Sequence, residues 1–267
     1  MHIFGTPIPL RYINKTLSDW FRYALLKEDK AFSDAKFNFV YFSYQPDFEY
    51  LYISLSSLIE NISEDYIGHV HLFEDQKAKF NEHELSKLYQ LCPKLTIHPV
   101  SNFSWASPES TLAEIECFLK VSENANDSDM IVKVDSDILF LPSNKLVRLL
   151  KSGLHAVGDG HSEQYRFAQG GLYMLRSALV KSVLSKVELA DILKISKLNR
   201  SVGEDKCISR VLKMNNKAFF LTRLMLFPTE YRKLNKLSAF NRWDFCAAHF
   251  VKDKESMRKF KNIFMGF

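Results

Sequence analysis

The chain has 267 residues, 46% of them hydrophobic and 25% charged, with a formal net charge of +5 at pH 7. This composition belongs to a folded protein with a sizeable core and excludes a disordered chain; so modest a charge gives no reason to expect a nucleic-acid partner. No apolar run is long enough to cross a bilayer.

The opening residues, MHIFGTPIPLRY, lack the basic-then-apolar order of a signal peptide. Cys92, Cys117, Cys207 and Cys246 form no Cys-x-x-Cys pair, and their expected role is as small buried groups in a reducing compartment. The expected location is therefore cytoplasmic. Residues 1–36 are polar and mixed and read as an N-terminal helical extension, with a helix around 17–26. The run FNFVYFSYQ (37–45), rich in aromatic and β-branched residues, predicts the first strand, closed by Pro46 and Asp47. Phe48, Leu51, Tyr52, Leu55, Leu58 and Ile59 then recur at the spacing of one helix face, with Asp47 as candidate N-cap. A second strand is predicted over 66–73, a helix over 82–91, a third strand over 95–100 and a long helix over about 109–124, before a central strand at 130–134. This βαβαβαβ alternation argues for an α/β domain with a mostly parallel central sheet flanked by helices, Rossmann-like in build. No Gly-x-Gly-x-x-Gly follows the first strand, which counts against a dinucleotide site.

The second half is less regular. A helix (143–151) leads to the strand LHAVGDG (154–160), and a polar loop reaches Gln169-Gly170-Gly171. LYMLRSALVKSVLSKV then reads as a strand running into a helix. Ser201-Val202-Gly203-Glu204-Asp205 opens a helix over 206–214, and AFFLTRLMLF (218–227) is strand-like. The division expected is an extension (1–36), one catalytic domain (37–251) and a basic, aromatic tail (252–267).

The stretch MIVKVDSDILFL (130–141) organises the rest. A buried strand does not carry two acids one residue apart unless something neutralises them, and a divalent cation is an efficient remedy. At the carboxyl end of a parallel strand, Asp135 and Asp137 fall where open α/β sheets bind ligands. The plainer use of Asp-Ser-Asp is a surface turn.

Lys133-Val134-Asp135-Ser136-Asp137, Gln169-Gly170-Gly171-Leu172-Tyr173, Glu204-Asp205 and Ala247-Ala248-His249 follow one another in an order that resembles the GT-A glycosyltransferases. Within that group the wording is most similar to the β-1,3-galactosyltransferase and fringe-like inverting enzymes, over roughly residues 37–252. The chain departs from them in lacking a glycine shortly after Glu-Asp, where Lys206-Cys207-Ile208-Ser209 stands, and in lacking their disulfides and membrane anchor. The resemblance implies a GT-A-like sheet and a hexosyltransferase-type enzyme that takes a sugar from a nucleotide donor, UDP-linked, to a saccharide or lipid-linked saccharide acceptor. It implies bacterial-type surface glycan synthesis, polysaccharide or lipopolysaccharide. It places Mn²⁺ or Mg²⁺ on Asp135, Asp137 and His249, the imidazole tilting the preference towards Mn²⁺. Asp205 would be the base and Glu204 a hydroxyl-binding partner; Asp75, Lys120, Asp135, Gly170, Gly171 and Lys252 would contact the donor.

Each residue also has a plainer use: His249 as a hydrogen-bonded core histidine, the glycines as a turn, Asp205 as a first-turn acid of its helix, and Asp75, Lys120 and Lys252 as solvated charges. Tyr41, Tyr44 and Trp105 suit core packing or stacking on a base or sugar. The tail either lies on an anionic membrane surface or docks on the domain with its basic face in water. Rival functions are a retaining GT-A transferase, a sugar-1-phosphate nucleotidyltransferase, whose glycine-rich N-terminal signature is missing, and a non-catalytic nucleotide-sugar or glycan-binding module.

Overall fold

The computed structural model describes residues 23–101, 107–160, 168–198, 203–226, 245–250 and 252–265, with two paired dipeptides, His2–Ile3 and Thr6–Pro7. Most of the helix expected over 17–26, Trp105 and the Ser201-Val202 pair lie outside them.

The first half follows the predicted alternation. The elements are β1 (Phe37–Ser43), α1 (Phe48–Asn61), β2 (Ile67–Asp75), α2 (Glu82–Leu91), β3 (Leu95–Val100), α3 (Pro108–Glu123) and β4 (Met130–Asp135). Helix starts are written in the sequence. Asn81 and Glu84 close a reciprocal capping box before α2, and Ser107 and Ser110 do the same before α3, with Pro108 in the first turn. Strands β1 to β4 are mutually parallel, and β1 is buried on both faces, as a central parallel strand must be. Phe37, Phe39 and Tyr41 pack on one side with Leu51, Leu55 and Leu58 of α1; Val40 packs on the other with Ile115 and Phe118 of α3. Each such side chain withdrawn from water contributes about 1.5–3 kcal/mol.

The second half supplies β5 (Ile138–Phe140), α4 (Lys145–Leu150), β6 (Ala156–Asp159), β7 (Leu172–Arg176), α5 (Ser177–Val183), α6 (Leu189–Leu198), α7 (Glu204–Met214), β8 (Phe220–Thr222), β9 (Met225–Leu226), β10 (Ala247–His249) and α8 (Lys254–Met265). The seven-stranded sheet runs β8-β6-β7-β4-β1-β2-β3, and a three-stranded sheet runs β9-β10-β5. The central sheet is mostly parallel, as the sequence predicts, except for β7, which is antiparallel to both β4 and β6. The chain leaves β6 and re-enters at the same end of the sheet, so β7 begins beside the carboxyl end of β4. Strand β10 likewise runs antiparallel to β5, pairing His249 with Ile138. These two reversals assemble the site.

Two local expectations change. Asp47 sits at the N-cap position of α1 but makes no capping hydrogen bond. A 3₁₀ turn over Gln45–Asp47 already leads into the helix, and the carboxylate is drawn instead to Lys252 and Ser136. The strand-like run over 218–227 divides into β8 and β9, which join different sheets.

The tail helix docks on the domain. Met257 and Phe260 of α8 are buried in a cluster with Tyr50, Ile53, Leu139 and Phe250. Its bases meet acids of α1: Lys254 lies 3.5 Å from Glu49, Arg258 pairs with Glu49, and Lys261 lies 3.3 Å from Glu60. Among the described residues no helix is long and apolar enough to cross a membrane.

Candidate active site

Up to Asp135, strand β4 is buried throughout and apolar except for Lys133, which is only 4% exposed. A buried ammonium needs partners. Lys133 Nζ donates to Asp135 Oδ1 and to the Gly170 carbonyl, and lies 4.0 Å from Glu204 Oε1. Burial disfavours its charge, but Asp135, Glu114 and Glu204 outweigh burial and hold its pKa above the ordinary lysine value.

Beyond Asp135 the chain turns, and Asp137 and His249 come together. His249 Nε2 lies 3.2 Å from Asp137 Oδ1, while the Lys252 backbone N–H donates to Asp137 Oδ2 at 2.8 Å. Burial pushes the Asp137 carboxyl up, but His249 and Lys252 outweigh it and hold it below the usual carboxylate range. Asp135, Asp137 and His249 each offer one ligand atom, and these atoms all lie within 4.8 Å of one another. Two ligands about 90° apart around an ion at about 2.2 Å sit roughly 3.1 Å from each other. The Asp137–His249 separation matches that spacing, and two carboxylates with an imidazole suit a divalent ion of the Mn²⁺ or Mg²⁺ kind. The residues therefore fit the metal that the resemblance implies.

The glycine pair joins this group through β7. Asp135 N donates to the Gly171 carbonyl at 3.0 Å. A Cβ on Gly171 would lie 3.0 Å from His249 Nδ1, and one on Gly170 would lie 3.3 Å from Glu204 Oε1. The resemblance has these glycines contacting the donor. Their nearer use is to let the imidazole and the acid helix approach the strand end.

Helix α7 starts at Glu204, with Gly203 as an N-cap that carries no side chain. Asp205 Oδ1 accepts from the Lys206 N–H at 2.7 Å. A helix start by itself favours an ionised carboxylate. Burial and, after it, the neighbouring Glu204 carboxylate prevail, pushing Asp205 up to about 6.

Lys252 carries a second constraint. Its φ is +64°, in the left-handed region, which costs a non-glycine residue about 1–2 kcal/mol. Three contacts hold it there: the N–H to Asp137, Tyr50 Oη–H to the Lys252 carbonyl, and Nζ to Asp47.

The remaining candidates make contacts of their own. Asp75 ends β2 and accepts from the Lys77 N–H at 2.9 Å in a local turn. Lys120 is exposed on α3, and its charge is felt by His71 and His98 of β2 and β3. Tyr41 is fully buried and bonded to Ser54 at 3.1 Å, a core use; Tyr44 is partly buried just before the 3₁₀ turn. Three residues of the network were not read as site residues from sequence: Lys133, Asp47 and Glu114. Glu114 is 3% exposed, accepts a hydrogen bond from the Tyr173 hydroxyl, and is pushed up to about 8, by burial first. The available signals were a charge inside an apolar strand and an acid on the inward face of α3 beside Ile115 and Phe118.

No protein-family model and no curated protein matches the chain. Solved structures do. The galactosyltransferase LgtC, in complex with donor and acceptor sugar analogs, is 12% identical with a TM-score of 0.57, covering 85% of this chain and 96% of that one. The glycosyltransferase GlyE of Streptococcus pneumoniae TIGR4 is 9% identical with a TM-score of 0.52, covering 85% and 60%. A glycosyltransferase involved in glycosylation of the major capsid of PBCV-1 is 8% identical with a TM-score of 0.52, covering 84% and 98%. The fold is thus the GT-A-like α/β fold of glycosyltransferases. The likeness does not single out the fringe-like β-1,3-galactosyltransferases.

Proposed function

We propose that the chain is a metal-dependent glycosyltransferase that moves a sugar from a nucleotide-sugar donor, UDP-linked, to a saccharide hydroxyl. One observation carries this reading. Two chain reversals bring His249 to Asp137 and the glycine pair to Asp135, and Glu204 and Asp205 close in from the far side of the glycines. Fold-level likeness alone would not license the function; a triad able to hold a cation beside a half-buried acid supports it.

A divalent ion held by Asp135, Asp137 and His249 would supply charge neutralisation for a diphosphate leaving group. Lys252 Nζ would add a point charge on that group once it leaves Asp47. As the acceptor oxygen bonds to the anomeric carbon and the bond to the diphosphate breaks, Asp205 takes the acceptor proton, with Glu204 orienting hydroxyls beside it. This assignment gives inversion, as the sequence resemblance implies. A retaining transferase would use the same donor site, and the anomeric coupling in the proton NMR spectrum of the product separates the two. The finer expectations of a saccharide or lipid-linked acceptor in surface glycan synthesis at the cytoplasmic face, and of Mn²⁺ over Mg²⁺, are part of this proposal.

The test is calorimetric titration of UDP, GDP, CDP and ADP, each with Mn²⁺ and with EDTA. Metal-dependent binding of one nucleotide, lost in Asp137→Ala, is the expected result. Absence of binding under every condition overturns the donor site. Binding without turnover on any sugar donor leaves a nucleotide-sugar-binding module.

A further inference from the structure

The Lys133 ammonium lies at the junction of the three parts of the site. It holds Oδ1 of the metal-binding Asp135, the carbonyl of Gly170, and stands 4.0 Å from Glu204 at the start of α7. Nothing in glycosyl transfer itself requires a cation at this spot. A neutral donor such as an amide would satisfy the same oxygens. A fixed positive charge has one further consequence: it sits one carboxylate away from the place where a divalent cation binds.

The charges around the triad show what an arriving ion meets. Asp135 is paired with Lys133, and one of its two oxygens is taken. Asp137 accepts from the Lys252 N–H and touches His249. The ion is offered two acids, one already neutralised by a buried ammonium that repels it through low-dielectric protein. Glu204 and Glu114 share that ammonium, yet the attraction of the ion to this site alone is weaker than two unpaired carboxylates would give. A diphosphate brings the missing negative charge and further hard oxygen ligands.

Resting on the donor-site reading above, we propose that Lys133 is a positioning residue that keeps the cation site weak until a nucleoside diphosphate arrives, so that ion and donor bind as a coupled pair. It acts through Asp135, one of whose two oxygens it occupies. The coupling is reciprocal by thermodynamic necessity: the ion strengthens nucleotide binding by the same factor as the nucleotide strengthens ion binding. The device prevents the site from being locked by a resident ion and lets the ion leave with the spent nucleotide.

The experiment uses the full chain and two variants. Lys133→Gln keeps donors for Asp135 and Gly170 and removes only the charge. Lys133→Arg keeps the charge. Mn²⁺ affinity is measured by electron paramagnetic resonance with the metal alone. The affinity of the tightest-binding diphosphate among UDP, GDP, CDP and ADP is measured by calorimetry with Mn²⁺ and with EDTA. Wild type is expected to bind Mn²⁺ weakly alone and to show coupling of roughly tenfold or more. Lys133→Gln is expected to bind Mn²⁺ alone about tenfold more tightly and to lose most of the coupling; Lys133→Arg should keep it. Unchanged Mn²⁺ affinity and unchanged coupling in Lys133→Gln would show that the lysine merely fills and neutralises the strand, overturning the proposal while leaving the donor site intact. Failure of wild type to bind either probe removes the donor site and the proposal together. If Lys133→Gln does not fold, Lys133→Met, neutral and of similar length, takes its place, and the metal-alone measurement carries the same two outcomes.

Discussion

Two close histidine contacts in the fold are built to opposite ends. On the β2–β3 side, His71 Nδ1 and His98 Nε2 lie 3.0 Å apart, with ring centroids 5.3 Å apart and planes within 19°. The centroid separation exceeds the nitrogen distance by about two ring radii, so both nitrogens lie on the line joining the rings. That is an in-line N–H···N hydrogen bond, with no room between the nitrogens for an ion. Burial first, then His98, His69 and Lys120, holds His71 down to about 4, and burial and Lys120 lower His98. Both rings are neutral at pH 7. On the β4–β10 side, Asp137 and His249 lie 3.2 Å apart with Asp135 beside them. The first contact is complete in itself; the second pairs groups that a cation satisfies further. Closeness of titratable groups does not make a site. The direction of their lone pairs and the sign of their neighbours do.

The largest test breaks the second contact. Asp137→Ala removes the proposed cation ligand and the acceptor of the Lys252 N–H. Metal-dependent nucleotide binding is expected to vanish in calorimetry, and turnover to fall by about 10²–10³ or more. A variant that still binds nucleotide with Mn²⁺ as tightly as wild type would sink the assignment of Asp137.

Asp205→Asn tests the acid beside that contact. Nucleotide and metal binding should survive while turnover is lost, by about 10²–10⁴-fold. In wild type the rate should fall with unit slope as pH drops below about 6, because the proposed base acts only when ionised. The stability sign is opposite. A carboxyl raised in the fold contributes stability that is fully present below its unfolded value near 3.8 and lost as pH rises through 6. Asp205→Asn should therefore gain in melting temperature relative to wild type at pH 8 compared with pH 4. If the variant unfolds at both pH values, Asp205 serves the start of α7 and not the reaction.

What the sequence revealed and what it hid follow the same division. The regular half, β1 to β4 with its three helices, was legible because apolar periodicity and two capping boxes are local signals. The acids at the end of β4 were legible because two carboxylates interrupt an apolar strand. The antiparallel direction of β7 and β10 was not, since strand direction is set by distant partners and leaves no local pattern. Yet those reversals make Gly171 and His249 neighbours. Lys133 was overlooked although it stands inside the most diagnostic stretch, because its partners Gly170 and Glu204 lie 37 and 71 residues on. Asp47 was read as a cap because capping is the commonest use of an acid before a helix, whereas the structure commits it to Lys252.

Lys252 joins these two kinds of information and gives a smaller test. Its backbone is strained and tied to Asp137, while its side chain is tied to Asp47. Lys252→Gly keeps the N–H to Asp137 and removes the left-handed cost of about 1–2 kcal/mol, but loses the ammonium. The variant should hold its melting temperature within a few degrees and still require metal. Its KM for the donor should rise by about tenfold if the ammonium reaches the diphosphate. An unchanged KM would restrict Lys252 to holding Asp137 and Asp47.

The smallest effect comes from the first contact, and it sharpens the contrast because no metal enters it. His71→Leu removes the in-line hydrogen bond, worth about 0.5–1.5 kcal/mol at pH 7. It also removes a group whose pKa is lowered in the fold. Between the unfolded value near 6.5 and the folded value of about 4, the unfolded chain binds the extra proton, so wild type loses stability as pH falls through that window. Lys120, His69 and His98 all disfavour the protonated ring, and no acid is among the groups that set its shift. The variant escapes this part of the acid loss. Urea unfolding at pH 7 and pH 4.5 should therefore show wild type ahead at the higher pH and the gap narrowed or reversed at the lower. Losses common to both proteins, such as those of the carboxylates, cancel in the difference. A gap of the same size at both pH values would mean that the imidazoles titrate freely. The two contacts would then differ in geometry alone and not in charge.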